Sequence, residues 1–281
     1  MKYLRFKLPF ALLFILVFFD LASAATHEDM VAKYIELSGV GEMLKSIPGE
    51  MDSLASQKSL ISKHPDVENK VYQLMMESYD SRQAEKNLSA YLLRNTDQKF
   101  LGELLQWLDS PVARKITKEE VNAAGPDKQG NMLHYLADMK LNPPTQERIT
   151  LIQGVEQATQ LSEFTTNILL EIIKGMIEAA NSALPEDKRD HIEDGQEEII
   201  KMKPTIKEAF RQQIILSSYY TYRNITDDEL RSYIKFYESE LGQREIDITG
   251  AALSNVLKLW FDDVARKLIL FAKEESEKRI K

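Results

Sequence analysis

Apolar residues in this chain return every three or four positions in almost every segment. The clearest run is Leu253, Val256, Leu257, Trp260, Phe261, Val264, Leu268 and Phe271, with Lys258, Asp262, Asp263, Arg266 and Lys267 mostly outside it. A stripe with that spacing buries one face of a helix and wets the other. No stretch sustains alternation between turn signals, so no strand is expected. The pattern predicts an all-α protein, a helical bundle closed by one long helix from Leu241 to about Lys278. Helix starts are legible as well. Thr226-Asp227-Asp228-Glu229 is a capping-box pattern. Thr26-His27-Glu28-Asp29 places acids at the positive end of another helix.

The first 24 residues read as a targeting segment. Lys2, Arg5 and Lys7 form a basic start, Leu8 to Phe19 an uninterrupted apolar run, and Ala22-Ser23-Ala24 a small-residue cleavage site. Together these make a secretory signal peptide over residues 1–24. Twelve helical residues rise roughly 18 Å, too short for a hydrocarbon core of about 30 Å. No later stretch is long and apolar enough to span, so no transmembrane segment is expected in the mature chain. Without residues 1–24 the chain carries 33 basic and 43 acidic residues, net −10. That balance argues against nucleic-acid and anionic-membrane partners, and a protein partner is expected. The chain has no cysteine, which excludes disulfides, thiolate metal sites and a cysteine nucleophile. An exported chain free of cysteine points to a bacterial periplasm, with secretion as the alternative.

Breakers divide the rest. Gly125-Pro126-Asp127 stops one helical run and Asn142-Pro143-Pro144-Thr145 precedes the next. The expected division is a first helical repeat over 25–125, a linker over 126–143 with a short helix around Met132–Leu136, and a second repeat over 144–281. Shifting the chain by 129 residues sets Leu101 on Leu230, Leu104 on Tyr233, Trp107 on Phe236, Leu108 on Tyr237, Ser110 on Ser239, Val112 on Leu241, Ala113 on Gly242 and Lys115 on Arg244. Size, polarity and spacing agree without a gap, which predicts two duplicated repeats. Upstream, a shift of 118 sets Leu37 on Val155, Met43 on Leu161 and Met51 on Leu169. The eleven-residue difference is expected as an insertion in the charged stretch after Leu184.

The matched segment reads as a sharp helical corner. Ser110 or Ser239 caps the following helix, and Pro111 or Glu240 suits its first position. Ala113 or Gly242 keeps that start thin, and the aromatic residues fill the angle. The spacing from Leu230 sets Tyr233 and Tyr237 on the core stripe and Phe236 beside it, against the long final helix. The run Phe236-Tyr237-Glu238-Ser239-Glu240-Leu241-Gly242-Gln243-Arg244 resembles the F-Y-x-S-P-x-G-x-K signature of a bacterial family of exported helical proteins catalogued as a domain of unknown function (family 2059). Trp107-Leu108-Asp109-Ser110-Pro111-Val112-Ala113-Arg114-Lys115 is similar as a diverged second instance. Each copy departs from the signature: Glu240 replaces its proline, and Leu108 and Ala113 replace its tyrosine and glycine. The resemblance implies an all-helical periplasmic domain and implies no activity.

Few residues carry recognisable chemistry. The histidines are His27, His64, His134 and His191, none three or four residues from another, so no helical metal pair is expected. Asp190, Asp194 and Gly195 mimic part of a calcium loop, but Ile192 sits where an oxygen ligand is required, and a solvated loop is the better reading. No G-x-S-x-G or phosphate loop is present. No metal, cofactor or catalytic residue is expected. The binding candidates are the corner residues Trp107, Ser110, Pro111, Phe236, Tyr237, Ser239 and Gly242. Aromatic residues crowd the last third, including Phe210, Tyr219, Tyr220, Tyr222 and Tyr233. They read as a packed core with tyrosine hydroxyls at its rim, or else as a groove for a partner helix, a peptide or an apolar ligand. The expected role is a non-enzymatic interaction or structural module of the cell envelope. The alternatives are an envelope-acting enzyme and a carrier of a small apolar molecule in a bundle cavity.

Overall fold

The computed structural model describes residues 25–58, 65–123, 129–183 and 200–280. The signal peptide, the partial calcium loop and the expected insertion after Leu184 lie outside them. Twelve helices and no strand are present among the described residues. In the first half these are α1 (His27–Leu37), α2 (Val40–Lys58), α3 (Pro65–Ser78), α4 (Ser81–Asn95), α5 (Gln98–Leu108) and α6 (Pro111–Ala123). A linking helix α7 (Gln129–Leu141) follows, longer than the short segment expected there. The second half holds α8 (Gln146–Thr159), α9 (Leu161–Ala183), α10 (Lys203–Thr221), α11 (Asp227–Tyr237) and α12 (Glu240–Ile280). The long final helix is 41 residues, somewhat more than its sequence stripe required. Among the described residues no helix is long and apolar enough to cross a membrane.

Short polar side chains start these helices by taking the orphan N–H groups of the first turn. Asp80 accepts from Arg82 and Gln83 at α4, Asp97 from Phe100 at α5, and Thr145 from Arg148 at α8. Thr26 and Thr226 form complete capping boxes with Asp29 and Glu229. Glu229 also pairs with Lys115 of α6 at 2.7 Å, so the second box doubles as a tether. Thr226→Ala should lower stability by about 1 kcal/mol, the usual cost of losing a cap, as read by urea denaturation. A midpoint equal to the parent's would show the box to be redundant.

The opening helices of the two halves pack in comparable ways. The helix that opens a half lies on later helices of that half, α1 on α4 and α5, and α8 on α10 and α11. The turn after the opening helix contains a left-handed residue, Gly39 (φ +76°) or Gln160 (φ +52°). These two are 121 residues apart, since α8 starts 119 residues after α1 and is three residues longer, while Gln160 follows its helix directly and Gly39 is the second residue after α1. The fixed upstream shift of 118 therefore does not carry one of these turns onto the other. Arg148 of α8 secures the second half by donating to the carbonyls of Tyr222 and Ile225, 2.6 and 3.0 Å away, and pairing with Asp227.

The halves do not stand side by side as separate units. The closing helix of each lies on the other. From α12, Ala252, Leu253 and Val256 enter the core made by Val31, Tyr34, Leu44, Leu88, Leu92, Leu101 and Leu104. From α6, fully buried Ile116 enters the core made by Ile152, Val155, Ile225, Leu230 and Tyr233. The far part of α12 then runs under α3, where Leu257, Trp260, Phe261 and Val264 meet Leu74 and Met75. The Trp260 indole donates there to the Met75 carbonyl at 3.1 Å. Gly175 lets α9 approach this helix: a Cβ at Gly175 would lie 2.6 Å from the Phe261 ring.

Candidate functional site

The two corners form as the sequence indicated. At each, a serine hydroxyl accepts from the backbone three residues on: Ser110 from Ala113 and Ser239 from Gly242, both at 3.2 Å. Each serine N–H bonds back to the aromatic residue of its corner, Trp107 or Phe236. Pro111 and Glu240 are the first residues of α6 and α12. The second corner is the tighter. A Cβ on Gly242 would lie 2.3 Å from the Phe236 carbonyl oxygen and 2.7 Å from the Tyr237 Cα, so only glycine fits. Gln243 laces this corner to the end of α8, its amide donating to the carbonyls of Ala158 and Tyr237.

The corners meet each other. Trp107 stacks on Phe236 with ring centroids 4.5 Å apart and planes 9° from parallel. Tyr237 stands edge-on to Phe236 at 5.0 Å and to Tyr233 at 4.9 Å. The sequence spacing set Tyr237 on the core stripe with Phe236 beside it, but α11 buries Leu230, Tyr233 and Phe236 and leaves Tyr237 partly buried, because Phe236 faces a partner ring, Trp107 of the first half. Two flanking contacts are reciprocal. Lys115, after the first corner, reaches Glu229 near the start of α11. Arg244, after the second, reaches the α5 cap Asp97 at 3.4 Å and lies over the Phe100 ring at 4.2 Å.

Two carboxyls complete this junction, Glu245 buried and Glu120 partly buried. Glu120 of α6 accepts from the hydroxyls of Tyr222 and Tyr233 at 2.7 and 2.8 Å, both from the second half. Glu245 of α12 accepts from Tyr34 of the first half at 2.8 Å, and Thr249 closes the same cluster. Burial pushes both carboxyls above the ordinary glutamate range, against the pull of the tyrosine hydrogen bonds. Burial, with the adjacent carboxylates, likewise holds the hydroxyls of Tyr34, Tyr222, Tyr233 and Tyr237 well above their usual range. At neutral pH these tyrosines are therefore donors, not bases.

Sequence reasoning brought together the corner residues Trp107, Ser110, Pro111, Phe236, Tyr237, Ser239 and Gly242 and missed Glu120 and Glu245. A signal was present. Glu245 falls between Leu241 and Ala252 on the apolar stripe of α12, and Glu120 follows Ala113 and Ile116 on that of α6. Elsewhere two half-open troughs flank the start of α9. One is lined by Glu156, Gln160, Ser162, Glu163, Lys207 and Arg211, the other by Phe164, Asn167, Ile246 and Asp247 among others. Among the described residues no three histidine or acidic side chains converge as a metal would require. No family model, curated protein or solved structure matches the chain.

Proposed function

We propose that this protein is a non-enzymatic interaction or structural module of the bacterial cell envelope. It is delivered to the periplasm by residues 1–24 and built from two diverged copies of the exported helical domain that its corner motifs resemble. One observation supports this reading above the others. The groups with the richest chemistry, the tyrosine–carboxylate clusters and the stacked corner rings, are spent in joining the halves. What they produce is a braced helical body, the kind of object that presents surfaces. The reciprocal seating of the closing helices supports the duplication in the same way.

The test has two parts. Intact-mass measurement of the protein recovered from a periplasmic fraction should give a chain that begins near Ala25; a full-length, membrane-embedded product would overturn the export reading. The mature chain, immobilised and exposed to envelope extract, should retain a defined protein that a heat-denatured control does not. Retention of a small apolar molecule alone would favour the carrier, and turnover of an envelope component would favour the enzyme.

A further inference from the structure

We propose that Glu120 and Glu245 form a proton-operated latch between the two halves, tight while they are protonated and loosened as rising pH ionises them. The geometry that carries this is the crossing of the hydrogen bonds. Glu120 belongs to the first half and takes both its tyrosine donors from the second, 102 and 113 residues away in the chain. Glu245 belongs to the second half and takes Tyr34 from the first, 211 residues away. Each carboxyl therefore sits on the seam, and a change in its charge acts on the seam.

The surroundings fix the sign. The titratable groups facing Glu120 from the packed helices are Tyr222 at the end of α10 and Tyr233 of α11, with Tyr237 beyond; those facing Glu245 are Tyr34 of α1 and Tyr237 of α11. The hydrogen bonds that favour the ionised carboxyls come from hydroxyls, Tyr222 and Tyr233 at Glu120 and Tyr34, Thr249 and Tyr237 at Glu245. Two cations close to them in the chain pair elsewhere: Lys115 with Glu229 and Arg244 with Asp97. A buried acid resists ionisation, and ionisation of Glu120 makes that of Glu245 harder. Each folded-state value is raised above the unfolded glutamate value of about 4.3. The stability tied to each carboxyl is therefore fully present below that unfolded value and is lost as pH rises through the folded one. Ionised together, the two place like charges at one junction, with tyrosine and threonine hydroxyls as their hydrogen-bond partners.

The surface acids have the opposite sign. Glu163, held down to about 2 by Lys203 and Lys207, favours folding as pH rises through the acid range. The informative quantity is therefore a difference between variants. Urea unfolding of the full chain is to be followed from about pH 5 to about pH 8 for the parent, Glu120→Gln, Glu245→Gln and the double variant. Gln keeps the shape and stays neutral. Relative to the double variant, the parent should lose stability as pH rises, its unfolding constant growing by up to about tenfold per pH unit for each carboxyl still titrating. Parallel profiles for parent and double variant would overturn the proposal. Carbon-13 NMR titration of glutamate carboxyls in the parent gives a second reading that needs no variant to fold. One or both carboxyls should titrate above about 4.3; titration of every glutamate at or below that value would equally overturn it.

Discussion

Phe236→Ala should cost about 3–5 kcal/mol, the range for truncating a buried ring. That is a large part of the roughly 5–15 kcal/mol that a domain has in total. Phe236 is buried, stacks on Trp107 and stands edge-on to Tyr237, so its loss opens a void where both corners meet. Trp107→Ala should cost a comparable amount. The double variant should cost less than the sum, because each removes the same stack. By contrast, the flanking Lys115–Glu229 pair is partly solvated, and a pair of that kind contributes about 0.2–1 kcal/mol. The rings thus dominate the junction. Thermal melting of the four proteins checks this; if the ring variants melt like the parent, the stack does not hold the halves together.

The second large effect is expected at Gly242. Alanine there places a Cβ against the backbone of the same corner, at 2.3 Å from the Phe236 carbonyl oxygen. Backbone cannot rotate aside as a side chain can, so the corner must open and shift the start of α12. Overpacking in ordinary cores costs about 1–3 kcal/mol, and Gly242→Ala should lie at or above the top of that range. Gly130 in α7 is the control, since a Cβ there meets nothing within 4 Å. Gly130→Ala should be neutral or slightly stabilising, as expected for an exposed helical position. A Gly242→Ala protein that unfolds at the parent's urea midpoint would show that the corner is not tight.

The helices themselves were legible because their apolar spacing is a local property. The stripe from Leu253 to Leu268 became the buried face of α12, and the Thr226 capping pattern became a complete box. The two corners were legible for the same reason, since serine caps and thin second turns are written in consecutive residues. What joins the corners was not, because the register of one half on the other depends on distant residues. The 129-residue shift even conceals it. Glu120 falls on Thr249 and Ile116 on Glu245, so the acid moves by one helical turn between the halves. Each acid then meets a tyrosine that has no counterpart at the matching site: counted back from the left-handed turn residues, Val155 of α8 is a buried aliphatic residue where α1 offers Tyr34. Aligning like with like hides contacts made between unlike residues. The left-handed Gln160 was illegible in another way, since glycine is the usual choice there and glutamine gives no signal.

The exchange of closing helices governs the order in which the chain can complete itself. Residues up to α6 leave the ribosome first, yet the core around Leu88, Leu92 and Leu104 waits for Ala252, Leu253 and Val256 near the other end. Early helices of the first half thus form quickly and stay uncovered, with their apolar faces exposed to whatever chaperone or protease is present. Closing the Tyr34–Glu245 contact spans 211 residues, and pairings of such long range slow folding far more than helix formation does. The slow step for this all-helical protein is then the return of its last helix to its first, so it should fold like a long-range β topology and not like a simple bundle.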